Sequence, residues 1–460
     1  MTRSARKRAF AIGILMATLA VSASKLSEAA CRVVTPTGSG AKTGADWNNA
    51  YQGLPATLVR GDTYYLADGT YARYSFNTIE SGTTPITIKK AIPSDHCTDT
   101  GWDAATMGSS QAIFNPGTVD TFAVLQDYLV LDGQKRDSLS SGHGIKLNGV
   151  CPGANCTTLN IAANNLTVRY VELQGIGDQN PASDKGDVQI YGNGRSNWTF
   201  QYLYVHDSGQ AFVVHNFNTN ILLEHSYLNN NYSSATRHGN CIIDTGSTNV
   251  TIRYNIFREF TGTSCITIRG TVGSAANNWW VYGNLFTENP SAPSGTGNGI
   301  ASCLGSQHCT NFYFYNNTIA NMSLGLAGIY WQENTVGSPT IRNNIWYNNR
   351  NSTVGAAQGV IESHNTVLNT PTALGFTDPN DVRVASGASV PFVALPTGDV
   401  HLTWENFGSV RAPGLPLPPP FNQDPDGKTR GADGLWDRGA FEFLSPPRPN
   451  PPTNLTARPQ

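Results

Sequence analysis

Polar side chains end a series of short apolar segments in the middle of the chain. Asn148, Tyr191, His215, Asp244 and Arg269 each follow the last apolar residue of a strand-like segment, as in "AFVVH" and "CITIR". If equivalent segments stack, these side chains line up on one outer face, where Tyr191 and Asn148 could contact a substrate. His215 could then act as a base that Asp244 orients, while Arg269 holds the carboxylate of an acidic sugar. The alternative is a solvated row with an Asp244–Arg269 ion pair, which contributes less than about 1 kcal/mol.

Two loops just before the same segments carry oxygen ligands. "DQNPASDKGD" contains Asp184 and Asp187, and "SSATRHGN" ends at Asn240. Carboxylate and amide oxygens are the hard ligands that Ca²⁺ prefers, so these residues predict a calcium site. The second loop also contains Arg237, which could bind an acidic substrate, and His238, which could act as a base. The alternative is that both loops are merely polar and solvated.

These residues belong to a chain with internal sequence repeats. "NVTIRYNIF", "NWWVYGNLF" and "NFYFYNNTI" each place an Asn before an apolar pair. Successive asparagines are 29, 33, 27 and 21 residues apart, at Asn255, Asn284, Asn317, Asn344 and Asn365. A second series of short β-branched segments, such as "QAFVVHN" and "SCITIRG", precedes them, and no helical period occurs. Recognisable strands separated by loops of variable length predict an all-β solenoid, a parallel β-helix, whereas propeller blades are longer, about 40–45 residues.

The repeated asparagine predicts a structural ladder rather than a row of glycosylation sites. A coil must turn sharply between two strands, and Asn tolerates the left-handed backbone better than other non-Gly residues. At the strand separation of about 4.8 Å, each side-chain amide can bond to the amide of the next coil. Val171, Leu203 and Ser226 hold the equivalent place in earlier coils.

The eight cysteines predict disulfide bonds. Their number is even, no CxxC pair occurs, and the chain begins like a secreted protein, which favours disulfides over free thiols or a metal site. Cys241 and Cys265 open equivalent strands of successive coils, so they should lie side by side. The other predicted pairs are Cys151–Cys156, Cys303–Cys309 and Cys31–Cys97.

The ends of the chain differ from the central coils, which we place at residues 126–369. Residues 1–30 resemble a secretory signal, because "TRSARKR" is basic and the following apolar stretch is shorter than the roughly 20 residues of a membrane span. Residues 31–125 should form an N-terminal cap with the first coils, and residues 370–443 a C-terminal cap, since solenoids need covered ends. Residues 444–460 are Pro-rich and read as a linker.

Two stretches carry a family resemblance, "GDTYYLADGTY" and "CIIDTGSTNVTIRYNIFREFTGTSCITIRG". They resemble the pectate-lyase-like superfamily of right-handed parallel β-helices, and are most similar to alginate lyases and chondroitinase B-like polysaccharide lyases. The resemblance implies a Lys on one central strand and an Arg in a TLR-His-Gly stretch on the next. Arg269 matches the Arg, but none of residues 244–246 is Lys, and Gly270 and Thr271 stand where His-Gly is usual.

In such lyases a base removes the proton beside a uronate carboxyl after Ca²⁺ or Arg has neutralised the carboxylate. The expected Lys is missing here. Lys185, in the first of the two loops, could replace it, and His238 could serve as the base.

Three functions remain open at this point. The chain could be a secreted or extracytoplasmic polysaccharide lyase acting as a monomer on an acidic glycan, a non-catalytic glycan-binding β-helix, or a glycoside hydrolase with paired carboxylates. A net charge of −2 argues against nucleic acid and anionic membranes as partners. Strand alternation places one of Trp279 and Trp280 outside, where a sugar could stack.

Overall fold

The computed structural model of the chain describes residues 29–118, 120–150, 157–175, 188–208, 211–231, 239–260, 264–269, 275–288, 299–304, 309–322, 326–331, 337–356, 359–403 and 413–443. Nearly all of its strands run parallel to their neighbours in three long sheets, here called A, B and C. The chain passes through sheets A, B and C in turn and returns to sheet A one strand further along. This is a parallel β-helix, and crossovers between parallel strands are right-handed in nearly all proteins. The predicted right-handed parallel β-helix is confirmed.

Sheet A has thirteen strands. In chain order they are Cys31–Thr35, Tyr51–Gln52, Thr63–Leu66, Ile86–Lys90, Leu129–Asp132, Leu166–Arg169, Ser196–Gln201, Thr219–Glu224, Thr248–Arg253, Ala276–Tyr282, Cys309–Tyr315, Thr340–Arg342 and Ile361–Ser363.

Sheet B has twelve strands. They are Gly69–Tyr71, Ala112–Phe114, Ile145–Asn148, Val171–Gln174, Tyr204–Ser208, Tyr227–Asn231, Ile256–Phe260, Leu285–Thr287, Thr318–Ala320, Ile345–Tyr347, Thr366–Leu368 and Val382–Val384.

Sheet C has eleven strands. They are Tyr74–Phe76, Asp120–Val124, Thr157–Ile161, Val188–Asn193, Ala211–Asn216, Asn240–Thr245, Ile266–Arg269, Ala301–Cys303, Leu326–Trp331, Asn351–Ala356 and Thr372–Leu374.

A few elements lie outside the three sheets. Phe392–Ala394 and Asp399–Leu402 form an antiparallel pair. One α-helix spans Ala104–Met107, and 3₁₀ turns span Trp47–Asn49 and Leu395–Thr397. Within the described residues, no helix is long and apolar enough to cross a bilayer.

The core is the closed interior of the solenoid. Side chains alternate along each strand, so every second residue points inward and meets its equivalent in the next coil. In sheet B the rings of Phe257 and Phe286 stack with centroids 4.9 Å apart and planes 8° from parallel. Trp279 is buried, whereas its neighbour Trp280 is only partly buried, as the alternation predicted.

The predicted asparagine ladder is confirmed between sheets A and B. From Asn255 to Asn365, each Nδ2 donates to the Oδ1 of the next ladder residue at 3.0–3.2 Å. Each Oδ1 also accepts the backbone N–H of the preceding ladder residue. Ser226 takes the equivalent place one coil earlier, where its N–H donates to Asn255 Oδ1 at 3.0 Å. The ladder therefore satisfies the buried polar groups of this turn in successive coils.

The prediction that the ladder asparagines adopt the left-handed conformation is wrong. The residue just before each of them has positive φ instead: Tyr254, Gly283, Asn316, Asn343 and His364 have φ of 50–65°. Asn is therefore needed at the ladder for its amide and not for its backbone.

We expect Asn284→Leu to destabilise the protein by about 1–3 kcal/mol. Asn284 is fully buried. Its Nδ2 donates to Ile252 O at 2.9 Å, and its Oδ1 accepts from Asn255 N at 2.9 Å. Leu would leave both partners buried and unpaired. Denaturant unfolding measures the loss, and Asn193→Leu, at an exposed strand end, is the matched control that should change little. Equal midpoints for the wild type and Asn284→Leu would contradict the ladder's role.

Three of the four predicted disulfides are present in the structure. Cys241 and Cys265 join adjacent strands of sheet C with a Cα–Cα distance of 4.5 Å. The other two bonds are Cys31–Cys97 and Cys303–Cys309. The fourth pair, Cys151–Cys156, lies outside the described residues.

Residues 385–403 and 413–443, here called the C-terminal segment, fold back over the outer faces of sheets A and B. Phe392 contacts Tyr347 of sheet B edge-on at a centroid distance of 5.5 Å. Phe421 contacts Tyr282 of sheet A in the same way at 5.0 Å. The segment thereby builds a wall beside the corner at which sheets A and B meet.

Candidate functional site

The five strand-end residues predicted to share one outer face do not line up. Tyr191, His215, Asp244 and Arg269 lie in sheet C, but in three different rows of its register. His215 pairs with Asp244, whereas Tyr191 and Arg269 occupy neighbouring rows. Asn148 lies in sheet B instead, half-buried beside Gln174. The predicted common face is therefore wrong.

His215 and Asp244 point into the core. Their exposed fractions are 2% and 0%. His215 Nδ1 lies 2.8 Å from Asp244 Oδ1, and the imidazole stacks on the buried ring of Trp279 with planes 17° apart. Asp244 pairs with His215 and not with Arg269. A glycan on an outer face cannot reach these two side chains, so the geometry contradicts their predicted roles as base and orienter.

Arg269 and Tyr191 lie outside, as predicted. Arg269 is exposed at the end of its strand, and Tyr191 is 36% exposed. Tyr330, 52% exposed, occupies the same row as Tyr191 five coils further along. These three side chains define what we call the outer face of sheet C.

Asn240, predicted as a calcium ligand, is buried and already bonded. Its Nδ2 donates to Thr267 Oγ1 at 2.8 Å. The other residues of the two polar loops lie outside the described residues: Asp184, Lys185, Asp187, Arg237 and His238. In the part of the chain that the structure describes, no three His, Cys, Asp or Glu side chains come together as a metal site. The calcium site stays a prediction.

A cleft of about 340 Å³ opens at the corner where sheets A and B meet. Its floor is the turn of successive coils, with Ser226, Asn255 and Ile256. One wall is the loop 133–144, and the other is the C-terminal segment. We call it the corner cleft. Its volume is in the range of small-molecule sites, which are mostly about 300–1,000 Å³.

Arg136 supplies a cation to the corner cleft. Its guanidinium lies 5.0 Å from the centre of the Tyr202 ring, and Nη1 donates to the carbonyl of His225 at 2.9 Å. Burial lowers the pKa of Arg136, but an arginine stays protonated in proteins. Among the described residues it forms no ion pair with a carboxylate. A held guanidinium without a counter-ion is a ready partner for a bound carboxylate.

His225 lines the cleft beside Arg136. Its imidazole stacks on Tyr202 at 5.1 Å and contacts Tyr254 at 5.1 Å. Neither ring nitrogen has a hydrogen-bond partner among the described residues. Burial lowers the pKa of His225, and the nearby charges of Arg253 and Arg136 lower it further against the opposite effect of Glu224. The imidazole is therefore neutral at neutral pH and able to accept a proton.

The opposite wall holds a histidine between two carboxylates. His401 Nδ1 lies 2.6 Å from Asp399 Oδ1, and Nε2 lies 2.9 Å from Asp426 Oδ2. Burial would lower the pKa of His401, but the hydrogen bonds to Asp426 and Asp399 outweigh it and raise the pKa. The wall can thus hydrogen-bond sugar hydroxyls, and the rings of Tyr254 and Phe441 add apolar surface.

A second charged cluster lies on the outer face of sheet B. Glu172 Oε1 accepts from Lys146 Nζ at 2.6 Å and lies 3.3 Å from His206 Nε2. Burial would raise the pKa of Glu172, but these bonds and one from Gln111 lower it to about 2. His206 Nδ1 lies 2.7 Å from Asp207 Oδ2. Because its charges are paired with one another, this cluster is better explained as a surface network than as a substrate site.

Sequence reasoning missed the corner cleft. Arg136, His225 and His401 are far apart in the chain: Arg136 lies in a loop between two strands, and His401 lies after the last coil. One signal was present: "LLEHSYL" places His225 where the neighbouring coils have Tyr202 and Tyr254. A titratable side chain in an aromatic row is a departure from the repeat that can indicate a site.

Comparisons with known proteins found similarity of fold. No protein-family model and no curated protein matches the chain. Among solved structures, pectate lyase Pel9A matches 91% of this chain and 98% of its own, with 11% identity and a TM-score of 0.39. The structure of XylC in complex with xylose matches 90% of this chain and 98% of its own, with 8% identity and a TM-score of 0.39. A GH136 lacto-N-biosidase from Eubacterium ramulus matches 77% of this chain and 67% of its own, with 10% identity and a TM-score of 0.33. A pectate-lyase-like β-helix was predicted, and the nearer resemblance to alginate lyases and chondroitinase B-like enzymes stays a prediction.

Proposed function

We propose that this chain is a secreted, carbohydrate-active β-helix protein that binds a uronate-containing polysaccharide in the corner cleft and cleaves it by β-elimination. The observation that carries the proposal is the guanidinium of Arg136, which faces the cleft without a carboxylate partner among the described residues. Three disulfides fit an oxidising compartment. The repetitive floor of the cleft suits an extended chain better than a single small molecule.

The residues of the cleft can be given roles in this reaction. Arg136 binds the uronate carboxylate in a bidentate manner and stabilises the charge that develops when the neighbouring carbon loses its proton. Neutral His225 accepts that proton. The C–H electrons form a double bond as the bond to the glycosidic oxygen breaks. This oxygen takes a proton from the Tyr254 hydroxyl, which in the structure donates to the carbonyl of Gln423 at 3.2 Å and must turn to the substrate. Burial raises the pKa of Tyr254 to about 12, so the hydroxyl is protonated at neutral pH.

Hydrolysis is the less favoured chemistry in the same cleft. A glycosidase needs one carboxylic acid that stays protonated near neutral pH beside a second carboxylate. Asp399 and Asp426 face the cleft, but the bonds to His401 and Lys428 lower the pKa of Asp426 in spite of burial. Asp426 is therefore ionised and unsuited to be the acid.

The second candidate function is glycan binding without catalysis on the outer face of sheet C. Tyr191 and Tyr330 are exposed aromatic rings in one row, and Arg269 is an exposed cation in a coil between theirs, two residues beyond that row on its strand. Aromatic faces stack on sugars, and a guanidinium pairs with an acidic group. In this second candidate Arg269 binds the glycan, and the catalytic role predicted for it from the sequence is not used.

One experiment separates these functions. The mature protein is incubated with polymannuronate, polyguluronate, polygalacturonate and hyaluronan, and both absorbance of the unsaturated product and new reducing ends are measured. Both signals together support the lyase. Reducing ends without unsaturated product would indicate hydrolysis. Retention on an immobilised uronate polymer without any cleavage would indicate the binding function.

The pH dependence of cleavage should reflect His225. Its pKa is lowered below the usual value of about 6.5, and the base must be neutral. We therefore expect kcat/KM to stay level from neutral pH to below 6.5 and to fall only as the pH drops through the lowered pKa. A pH series of kcat/KM on the preferred polymer measures this limb. A fall centred above pH 6.5 would contradict His225 as the base.

A further inference from the structure

The outer face of sheet A carries a second row of stacked asparagines, separate from the buried ladder. Its members share a left-handed backbone, with φ of 54–62°, and they are Asn165, Asn197, Asn220, Asn249, Asn278 and Asn311. Each Nδ2 donates to the Oδ1 of the preceding member at 2.9–3.2 Å. We call these residues the outer asparagine row. Here Asn adopts the positive φ for which glycine is otherwise the usual residue.

This row leaves hydrogen-bonding capacity unused on the surface. A side-chain amide has two N–H donors and an oxygen with two lone pairs. In Asn197, Asn220 and Asn249, the bonds within the row use one N–H and one lone pair of each amide. One donor and one acceptor therefore remain per coil, repeated at about 4.8 Å. Six residues span roughly 24 Å at that spacing.

These three asparagines border an open groove of about 530 Å³. Its floor includes Thr199 and Thr251, and the partly buried ring of Trp280 also lines it. Pro420 of the C-terminal segment lines it as well. The groove thus combines repeated amides and hydroxyls with an indole face, which is the chemistry that binds sugars.

The described residues that line the groove also offer no unpaired charge. Among the described lining residues the one charged side chain is Arg253, whose Nε lies 2.5 Å from Glu224 Oε2 and whose Nη1 donates to the Tyr282 hydroxyl at 3.0 Å. That guanidinium already has its counter-ion. An acidic polymer would find no free cation in this part of the described structure, whereas the corner cleft offers Arg136.

We infer that this groove binds an uncharged polysaccharide chain that lies parallel to the axis of the solenoid, as a second glycan site distinct from the corner cleft. Sugar hydroxyls exchange hydrogen bonds with the free amide groups of the outer asparagine row, and one sugar stacks on Trp280. Repeated contacts at the coil spacing favour a chain over a short fragment. The site would hold the protein on a neutral glycan and does not depend on the activity proposed for the cleft.

The test is calorimetric titration of the mature protein with β-1,4-linked hexasaccharides and trisaccharides of xylose, glucose and mannose. At least one neutral hexasaccharide should bind, more tightly than its trisaccharide and without loss on adding salt. Trp280→Ala should weaken binding about tenfold or more, the effect of losing a stacked ring. Asn249→Gly and Asn220→Gly should each weaken it severalfold, because glycine keeps the positive φ but removes the amide.

Two variants serve as controls. Asn348→Gly removes an amide in the same setting, with φ of 51° and a 2.8 Å bond to Asn321, but outside the groove, and it should bind normally. Arg136→Ala should also bind the neutral hexasaccharide normally, even if cleavage of uronates is lost. The inference is overturned if no neutral hexasaccharide binds, if folded Trp280→Ala and both Asn→Gly variants bind like the wild type, or if only uronate oligosaccharides bind.

Discussion

Arg136→Ala is expected to lower kcat/KM on the cleaved uronate polymer by at least about 10²-fold, the loss that follows removal of one donor to a transition-state charge. The guanidinium is already positioned by the His225 carbonyl and the Tyr202 ring, so the substrate carboxylate meets a prepared partner. Initial rates of unsaturated product formation measure the effect. The ring stacking of Tyr202 on Tyr170, 4.7 Å apart, should persist without Arg136 and keep the fold intact.

Two further arginine variants make this result specific. Arg136→Lys should recover little activity, because an ammonium group cannot replace the planar, bidentate fork. Arg269→Ala is the matched control, since Arg269 is also an arginine without an ion pair among the described residues, but lies on the outer face of sheet C. A large loss in Arg269→Ala with a normal rate in Arg136→Ala would move the active site from the corner cleft to sheet C.

The sequence predicts the fold well because the repeat can be recognised from the residue types in short stretches of the chain. The spacing of Asn255, Asn284 and Asn317 predicted a turn that recurs once per coil, and the buried ladder confirms it. The position of Cys241 and Cys265 at equivalent strand starts predicted their bond in the same way. Stacking needs only that equivalent residues face one another, and this follows from periodicity.

The same patterns fail to place side chains inside or outside, because a shift of one residue exchanges the two faces of a strand. In "AFVVHN" the run of apolar residues hides the alternation. Val213 and His215 are both buried, so the inward rows include the polar residue that follows the apolar run. In "CIIDT" Ile242 and Asp244 are inward for the same reason. A polar residue in an inward row breaks the expected pattern and cannot be recognised without the register.

The corner cleft could not be predicted because the repeat builds only its floor. Its walls come from the loop 133–144 and from the C-terminal segment, which meet only because the chain folds back over sheets A and B. The distance between these two segments along the sequence does not indicate that they lie side by side in the fold. His225, within a coil, was the member of the cleft that the repeat could have indicated.

The buried His215–Asp244 pair leads to the largest expected effect on stability. Asp244→Ala should destabilise the protein by about 3–5 kcal/mol, because removing one partner leaves the other polar group buried without compensation. Asp244 also accepts the backbone N–H of Ser247 at 3.1 Å, which the variant would lose as well. The shift of the urea unfolding midpoint, with the slope of the transition compared between variants, measures the loss.

Two companion variants decide whether the pair is structural or catalytic. Asp244→Asn keeps the volume and hydrogen bonding, so it should lose much less stability and cleave uronates at the wild-type rate. The double variant His215→Phe, Asp244→Leu should regain most of the stability lost in Asp244→Ala, since well-packed apolar side chains leave no buried polar group without a partner. A folded Asp244→Asn protein that binds substrate but does not cleave it would instead restore the catalytic role predicted from the sequence. The burial of both side chains, at 2% and 0% exposure, is the reason we expect the structural outcome.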